Sequence, residues 1–224
     1  MVPRIVISLF MVMAIFSFTS AEAQITIVGQ NNPTIDVQAV QRAVDQGGTV
    51  LLKGTFDFGD KGMVKITKDV KIVGENKGRP ITKIKGGFWT FHSPLPSQLP
   101  PGAPGPKITI QNIHFDGALM TPIHLAYCSG ATITDNKITN VKPNPVTMPG
   151  IPEINLQQGI LCGTRFAQPT ETRKYQPNSF TGFSTIMDND IDLVNETPTK
   201  TLGQGVWIVW TTGATIQISR NIIN

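Results

Sequence analysis

Asp188, Asp190 and Asp192 stand at alternate positions and form the main acidic cluster of the chain. Paired carboxylates can divide the acid and base roles of glycoside cleavage, or hold Ca²⁺ through oxygen ligands. Alternating Asp is more often a solvated strand edge. His92, His114 and His124 are the three histidines; they lie on different segments and lack the i, i+4 metal spacing. An imidazole can act as a general base near neutral pH, although an inactive surface histidine is the commoner case. Trp89 and Trp207 can stack on sugar rings, or can serve only as anchors for loops that cross them. Arg165, Arg173 and Lys174 share one polar segment. A guanidinium grips a carboxylate with two bonds, which suits a uronate, while a solvated loop is the plainer reading. Cys128 and Cys162 form no CxxC and no zinc spacing. They are either a disulfide of an oxidising compartment or two small buried hydrophobes. No metal site is expected.

The elements that position these residues follow from composition and pattern. Of the 224 residues 40% are apolar and 15% charged, against about 25% charged in an ordinary domain. With 21 Gly and 17 Pro, the mix excludes coiled coils, helical bundles and disorder, and leaves a β-rich, turn-rich fold. The net charge of +4 is uneven. Residues 61–85 carry Lys61, Lys65, Lys68, Lys71, Lys77, Arg79, Lys83 and Lys85 against only Asp69 and Glu75. That stretch either attracts a polyanion or blocks sticking at the exposed edge of an early β-layer.

Met1–Ala23 reads as a secretory signal peptide. Arg4 is followed by an apolar stretch from Ile5 to Phe18 and by Ala21-Glu22-Ala23, so the mature chain is expected to start at Gln24. The apolar run is shorter than the roughly 20 residues of a membrane span. A secreted or periplasmic protein that spans no membrane is therefore expected, in one domain over residues 24–224.

Thr34 to Gln46 is the one convincing helix. Thr34 is placed to cap it, Asp36 sits in its first turn, Val37, Val40 and Val44 make an apolar face, and Gly47-Gly48 ends it. Thr49 to Leu52 reads as a strand. Repeats then dominate. Apolar residues recur five apart at 110/115, 133/138, 186/191 and 218/223, with Asn136, Asn189 and Asn221 two before the second of each of the last three pairs. Five is odd, so a straight strand would split each pair between faces. A bend restores both to one side, and Asn suits a bend because it tolerates left-handed angles. An upstream series is Phe88-Trp89-Thr90, Ile123-His124-Leu125, Ile160-Leu161-Cys162 and Val206-Trp207-Ile208. Its alternation predicts Trp89, His124, Leu161 and Trp207 outward. Residues 93–107 and 142–158 read as Pro-rich loops, and 164–183 as a polar one.

The sequence "AVDQGGTVLLKGTFDF" at 43–58, "KITIQNIHFDG" at 107–117 and the I-x-x-N-x-I repeats resemble the pectin-lyase-like superfamily over about residues 30–224. The resemblance implies an all-β fold: a right-handed parallel β-helix of three-strand coils, with an N-terminal capping α-helix. The cap would span 24–60 and the coils about 61–224. It also implies a ladder of Asn136, Asn189 and Asn221 at one corner, and a groove along the face of the upstream series. Trp89, His124, Trp207 and Arg165 are then the candidate substrate-binding residues. The motifs of polygalacturonase-like and pectate-lyase-like enzymes are not found, so no catalytic residue is carried over. Calcium enters only through the resemblance; no other cofactor is expected. The expected function is binding or degradation of a polysaccharide, acidic glycans included, with a non-catalytic adhesin or surface module as the alternative. The partner is a polysaccharide or cell-surface glycan, not nucleic acid. Asn224 follows Ile223 in mid-pattern without a polar cap. A fragment, or self-association at an open C-terminal coil carrying Val206, Ile208, Ile218 and Ile223, is expected from that.

Overall fold

Each repeat owes its shape to one left-handed residue. Asn112, Asp135, Asp188 and Arg220 have φ of 59°, 57°, 57° and 53°. Each separates a strand ending in an apolar–polar alternation from a second, short strand. The bend lets residues five apart, Ile110/Phe115, Ile133/Ile138 and Ile186/Ile191, all enter one core. In the last three repeats the left-handed residue is the one before the Asn, so the Asn is free for another task.

The computed structural model describes residues 24–94, 104–148, 151–163, 180–193, 201–209 and 213–224, the side chains of 146–148 and 151–154 excepted. The signal-peptide reading of residues 1–23 lies outside them. In chain order β1 (Gln24–Val28) precedes α1 (Pro33–Val44). The strands then come in groups: β2 (Gly48–Lys53), β3 (Thr55–Asp57) and β4 (Val64–Lys65); β5 (Val70–Gly74), β6 (Thr82–Lys85) and β7 (Phe91–Ser93). Next are β8 (Lys107–Gln111), β9 (Ile113–Asp116) and β10 (Ile123–Leu125); β11 (Gly130–Thr134), β12 (Lys137–Thr139), β13 (Asn144–Met148) and β14 (Ile151–Cys162). Last come β15 (Gly182–Met187), β16 (Asp190–Asp192), β17 (Thr201–Ile208), β18 (Ala214–Ser219) and β19 (Ile222–Ile223).

Successive groups lie side by side. Sheet A runs β1-β2-β5-β8-β11-β15-β18, sheet B runs β3-β6-β9-β12-β16-β19, and sheet C holds β4-β7-β10-β14 with β17 and β13 beside β14. All pairings are parallel except β13 with β14. The described chain is thus all-β with three parallel sheets and one helix, the arrangement of a parallel β-helix. The core stacks like on like: Val50, Ile72, Ile110, Ile133 and Ile186 from sheet A, and Phe56, Ile84, Phe115, Ile138 and Ile191 from sheet B. Each buried side chain of this kind stabilises by roughly 1.5–3 kcal/mol. At the last strands Ile218, Ile222 and Ile223 are exposed, while Val206 and Ile208 are half-buried against the core.

Two local readings are corrected. The helix starts at Pro33 and its cap is Asn32, whose Oδ1 accepts the Thr34 and Ile35 amides; Thr34 does not cap. Proline at the first helical position loses nothing, because that amide has no intrahelical partner. The stretch 142–158 is not a loop: β13 and β14 form an antiparallel hairpin within it.

Asp36 does more than face the helix dipole. Its buried carboxylate accepts the amides of Gln30, Asn32 and Asp57 at 2.8, 3.0 and 2.8 Å, tying helix, preceding turn and β3 together. Asp36→Ala leaves these donors short of a partner. A loss of roughly 3 kcal/mol is expected, read as a lower denaturant midpoint at unchanged slope. An unchanged midpoint would show that water replaces the carboxylate freely.

Candidate functional site

The outer face of sheet C carries a single ladder of side chains. Lys65 pairs in register with His92, His92 with His124, His124 with Leu161, and Leu161 with Trp207. Their neighbours along each strand, Phe91, Ile123, Leu125, Ile160 and Cys162, are in the core. The ladder residues therefore point away from it, by the two-residue strand period. The aromatic before β7 is not where the alternation predicts. Phe91, rather than Phe88, aligns with Ile123, so His92 takes the ladder place expected for Trp89.

Trp89 instead adopts φ 48°, a left-handed conformation unusual for a bulky residue. Its ring lies 4.4 Å from that of His124 and 5.3 Å from that of His92, and Phe88 stacks behind it at 5.0 Å. The two imidazoles stack on each other at 5.3 Å. His92 is 6% exposed and His124 3%. Trp89 Nε1, His92 Nδ1 and His124 Nδ1 are buried without a hydrogen-bond partner. Buried polar atoms in this state are rare in native proteins and mark strain, function or an absent ligand group.

Burial keeps both rings neutral. It lowers the His92 pKa to about 4, with the Lys65 ammonium helping and the His124 backbone opposing. It lowers the His124 pKa to about 3, with His92 itself adding to the effect and the Gly163 backbone opposing. A neutral imidazole nitrogen donates or accepts according to tautomer. Trp207, half-buried at the other end of the ladder, adds an aromatic surface.

The remaining candidates separate. Asp188 makes a two-bond pair with Arg220 at 2.7 and 2.6 Å, which holds its carboxyl below the usual range. Asp190 pairs with Lys137 at 3.4 Å. These carboxylates sit at or beyond the bend between sheets A and B, away from sheet C, and their cation partners do not fit a calcium site. Among the described residues no group of three potential metal ligands converges. His114 is on sheet B, where Nε2 lies 2.9 Å from Thr139 Oγ1. Arg165, Arg173 and Lys174 lie outside the described residues. Cys128 and Cys162 are free, buried thiols of the core; burial pushes the Cys128 thiol up to about 12 and Cys162 well above its ordinary value, so both are unreactive.

His92 is the site residue that the sequence pattern missed. Its signal is the recurrence of apolar-His in Phe91-His92 and Ile123-His124. Two aromatics three apart, Phe88 and Phe91, offer competing registers, and Gly87 favours the wrong one by analogy with the glycines at 159 and 205. Comparison of the chain with protein-family models, with curated proteins and with solved structures finds no match.

Proposed function

We propose that this chain is an exported, right-handed parallel β-helix protein akin to the pectin-lyase-like superfamily, and that it binds polysaccharide along the outer face of sheet C. One observation carries the reading: on that face the Trp89 ring packs against His92 and His124, in a ladder that continues to the half-buried ring of Trp207. Aromatic faces at the same ladder complete a surface for pyranose rings. The described ladder holds no carboxylate, which favours binding without cleavage, as in an adhesin.

The test is a panel of neutral and acidic polysaccharides, read for binding, for absorbance of unsaturated products and for new reducing ends. Binding without products is expected, and Trp207→Ala should weaken it by about fivefold, the worth of one aromatic stack. Product formation would replace the adhesin reading by an enzymatic one. Binding unaffected by Trp207→Ala would remove sheet C as the site. Mass spectrometry of the exported protein should find Gln24 as its first residue; a chain retaining Met1 would count against export by a cleaved signal.

A further inference from the structure

We infer that the outer face of sheet A carries a second, separate glycan site: a groove that takes an anionic polysaccharide strand between Lys107 and Phe183. Its floor is a gap in a ladder. Lys107 on β8 pairs with Gly130 on β11, and the backbone of Phe183 on β15 lies against Gly130. Ala131 is in the core, so a side chain at 130 would point outward, and there is none. A Cβ built there would meet only the Phe183 carbonyl, at 3.0 Å. The notch therefore lies between an ammonium and an aromatic ring, and opens into a cavity of about 550 Å³ that reaches Lys71, Thr109 and Thr132.

Three features assign the ligand class. First, Phe183 is 63% exposed on the outer face of sheet A. An exposed ring beside a groove offers its face to the C–H side of a sugar. Second, Lys71 and Lys107 are exposed and, among the described residues, make no ion pair. Lys53, Lys83, Lys137 and Lys142 by contrast each have a carboxylate. The nearest acid, Asp69, is turned to the backbone, its Oδ1 accepting the Lys107 amide at 2.8 Å. Asp69 lines the groove as well, so its lining carries two ammoniums against one carboxylate, a net positive charge. Third, Lys71, Thr109, Thr132 and Thr185 follow one another in register, so that amine and hydroxyl groups repeat at the strand spacing of about 4.8 Å. That repeat is close to the length of one pyranose unit. Carboxylates on the ligand meet the lysines, and ring hydroxyls meet the threonines. Lysine, a point charge, is suited to scattered carboxylates; the two-pronged arginine that dominates phosphate recognition is not among the lining residues.

This site is on a different sheet from the proposed sheet C surface, so the two stand or fall separately. The probe is an oligogalacturonate octamer, titrated calorimetrically against the full exported chain, with a neutral β-glucan octamer and a single-stranded DNA octamer as comparisons. The octagalacturonate is expected to bind best, and more weakly as salt is raised. Phe183→Ala and Lys107→Ala should each weaken it about tenfold. Both side chains are exposed, so circular-dichroism melts of the variants should match the parent. Lys85→Ala, on sheet B, should leave this affinity unchanged. Equal binding by the Phe183 and Lys107 variants, loss only in Trp207→Ala, tighter binding of the DNA, or no binding of the octagalacturonate would each overturn the assignment.

Discussion

Acidification from pH 6.5 to about 4 should destabilise the fold by several kcal/mol, through two buried imidazoles. An unfolded histidine titrates near 6.5. In the folded chain burial, aided by Lys65, lowers His92 to about 4, and burial, aided by His92, lowers His124 to about 3. Between these values the unfolded chain binds protons that the folded chain refuses. Stability therefore rises with pH in this window: the contribution is fully present above 6.5 and is lost as pH falls towards 4. At about 1.4 kcal/mol per pH unit, each histidine accounts for roughly 3 kcal/mol over the interval. The two rings are in contact, so their protons will not be lost and gained independently. Carboxylates also titrate below pH 5, so the decisive comparison is with a variant. Leu161 occupies the next place in the same ladder, so the face already carries an apolar side chain beside His124. The double variant His92→Leu/His124→Leu should flatten the dependence of the unfolding midpoint on pH between 6.5 and 5. At pH 7 it should stay close to the parent in stability, because it removes two buried nitrogens without partners along with the two rings' backbone bonds. A variant with the same slope as the parent would mean that the imidazoles are hydrated and not held neutral by burial.

The same residues show which parts of the structure can be read from the chain and which cannot. The five-residue spacing of Ile110/Phe115, Ile133/Ile138 and Ile186/Ile191 is visible because core stacking demands the same chemistry at each level, and a bend is the one way to bury both members. The identity of the left-handed residue is not visible: Asp135, Asp188 and Arg220 share no feature that the following Asn does not offer better. The register of β7 fails for a related reason. Trp89 takes a left-handed angle against its own preference, and only its contacts with Phe88, His92 and His124 explain why. The hairpin of β13 and β14 is hidden by its prolines. Pro145 lies on the outermost strand of sheet C, where a missing donor costs little. The lysines of 61–85 look like one basic stretch in the chain, yet the repeat distributes them: Lys65 to sheet C, Lys71 to sheet A, Lys83 and Lys85 to sheet B. The groove at Lys71 joins instead with Lys107 and Phe183, more than thirty and a hundred positions away, by register alone.

Asn189→Ala is expected to be the most damaging single substitution outside the apolar core. The Asn189 side chain is buried and serves three levels of the stack. Its Oδ1 accepts the Asn136 amide at 3.1 Å and the Asn136 Nδ2 at 3.1 Å. Its Nδ2 donates to the Ile133 carbonyl at 2.9 Å and to Asn221 Oδ1 at 2.9 Å. Asn136 repeats the pattern one level earlier with the Ile113 amide and the Ile110 carbonyl. Asn221 repeats it one level later with the Asn189 amide and the Ile186 carbonyl. Alanine at 189 strands a buried donor and a buried acceptor, each worth about 1–3 kcal/mol, so a loss of roughly 2–5 kcal/mol is expected. Asn221→Ala should cost less, because that side chain is only part-buried. Asn189→Thr should recover part of the loss. Thr82 stands at the same register earlier in sheet B, and its hydroxyl both donates to the Leu52 carbonyl and accepts the Glu75 amide. Denaturant midpoints of the three variants are the measurement. Equal midpoints for Asn189→Ala and the parent would mean that backbone pairing alone holds the corner. Octagalacturonate affinity of the folded Asn189→Ala protein should stay at the parent value, since the ladder lies inside the corner of sheets A and B while Lys107 and Phe183 face outward from sheet A.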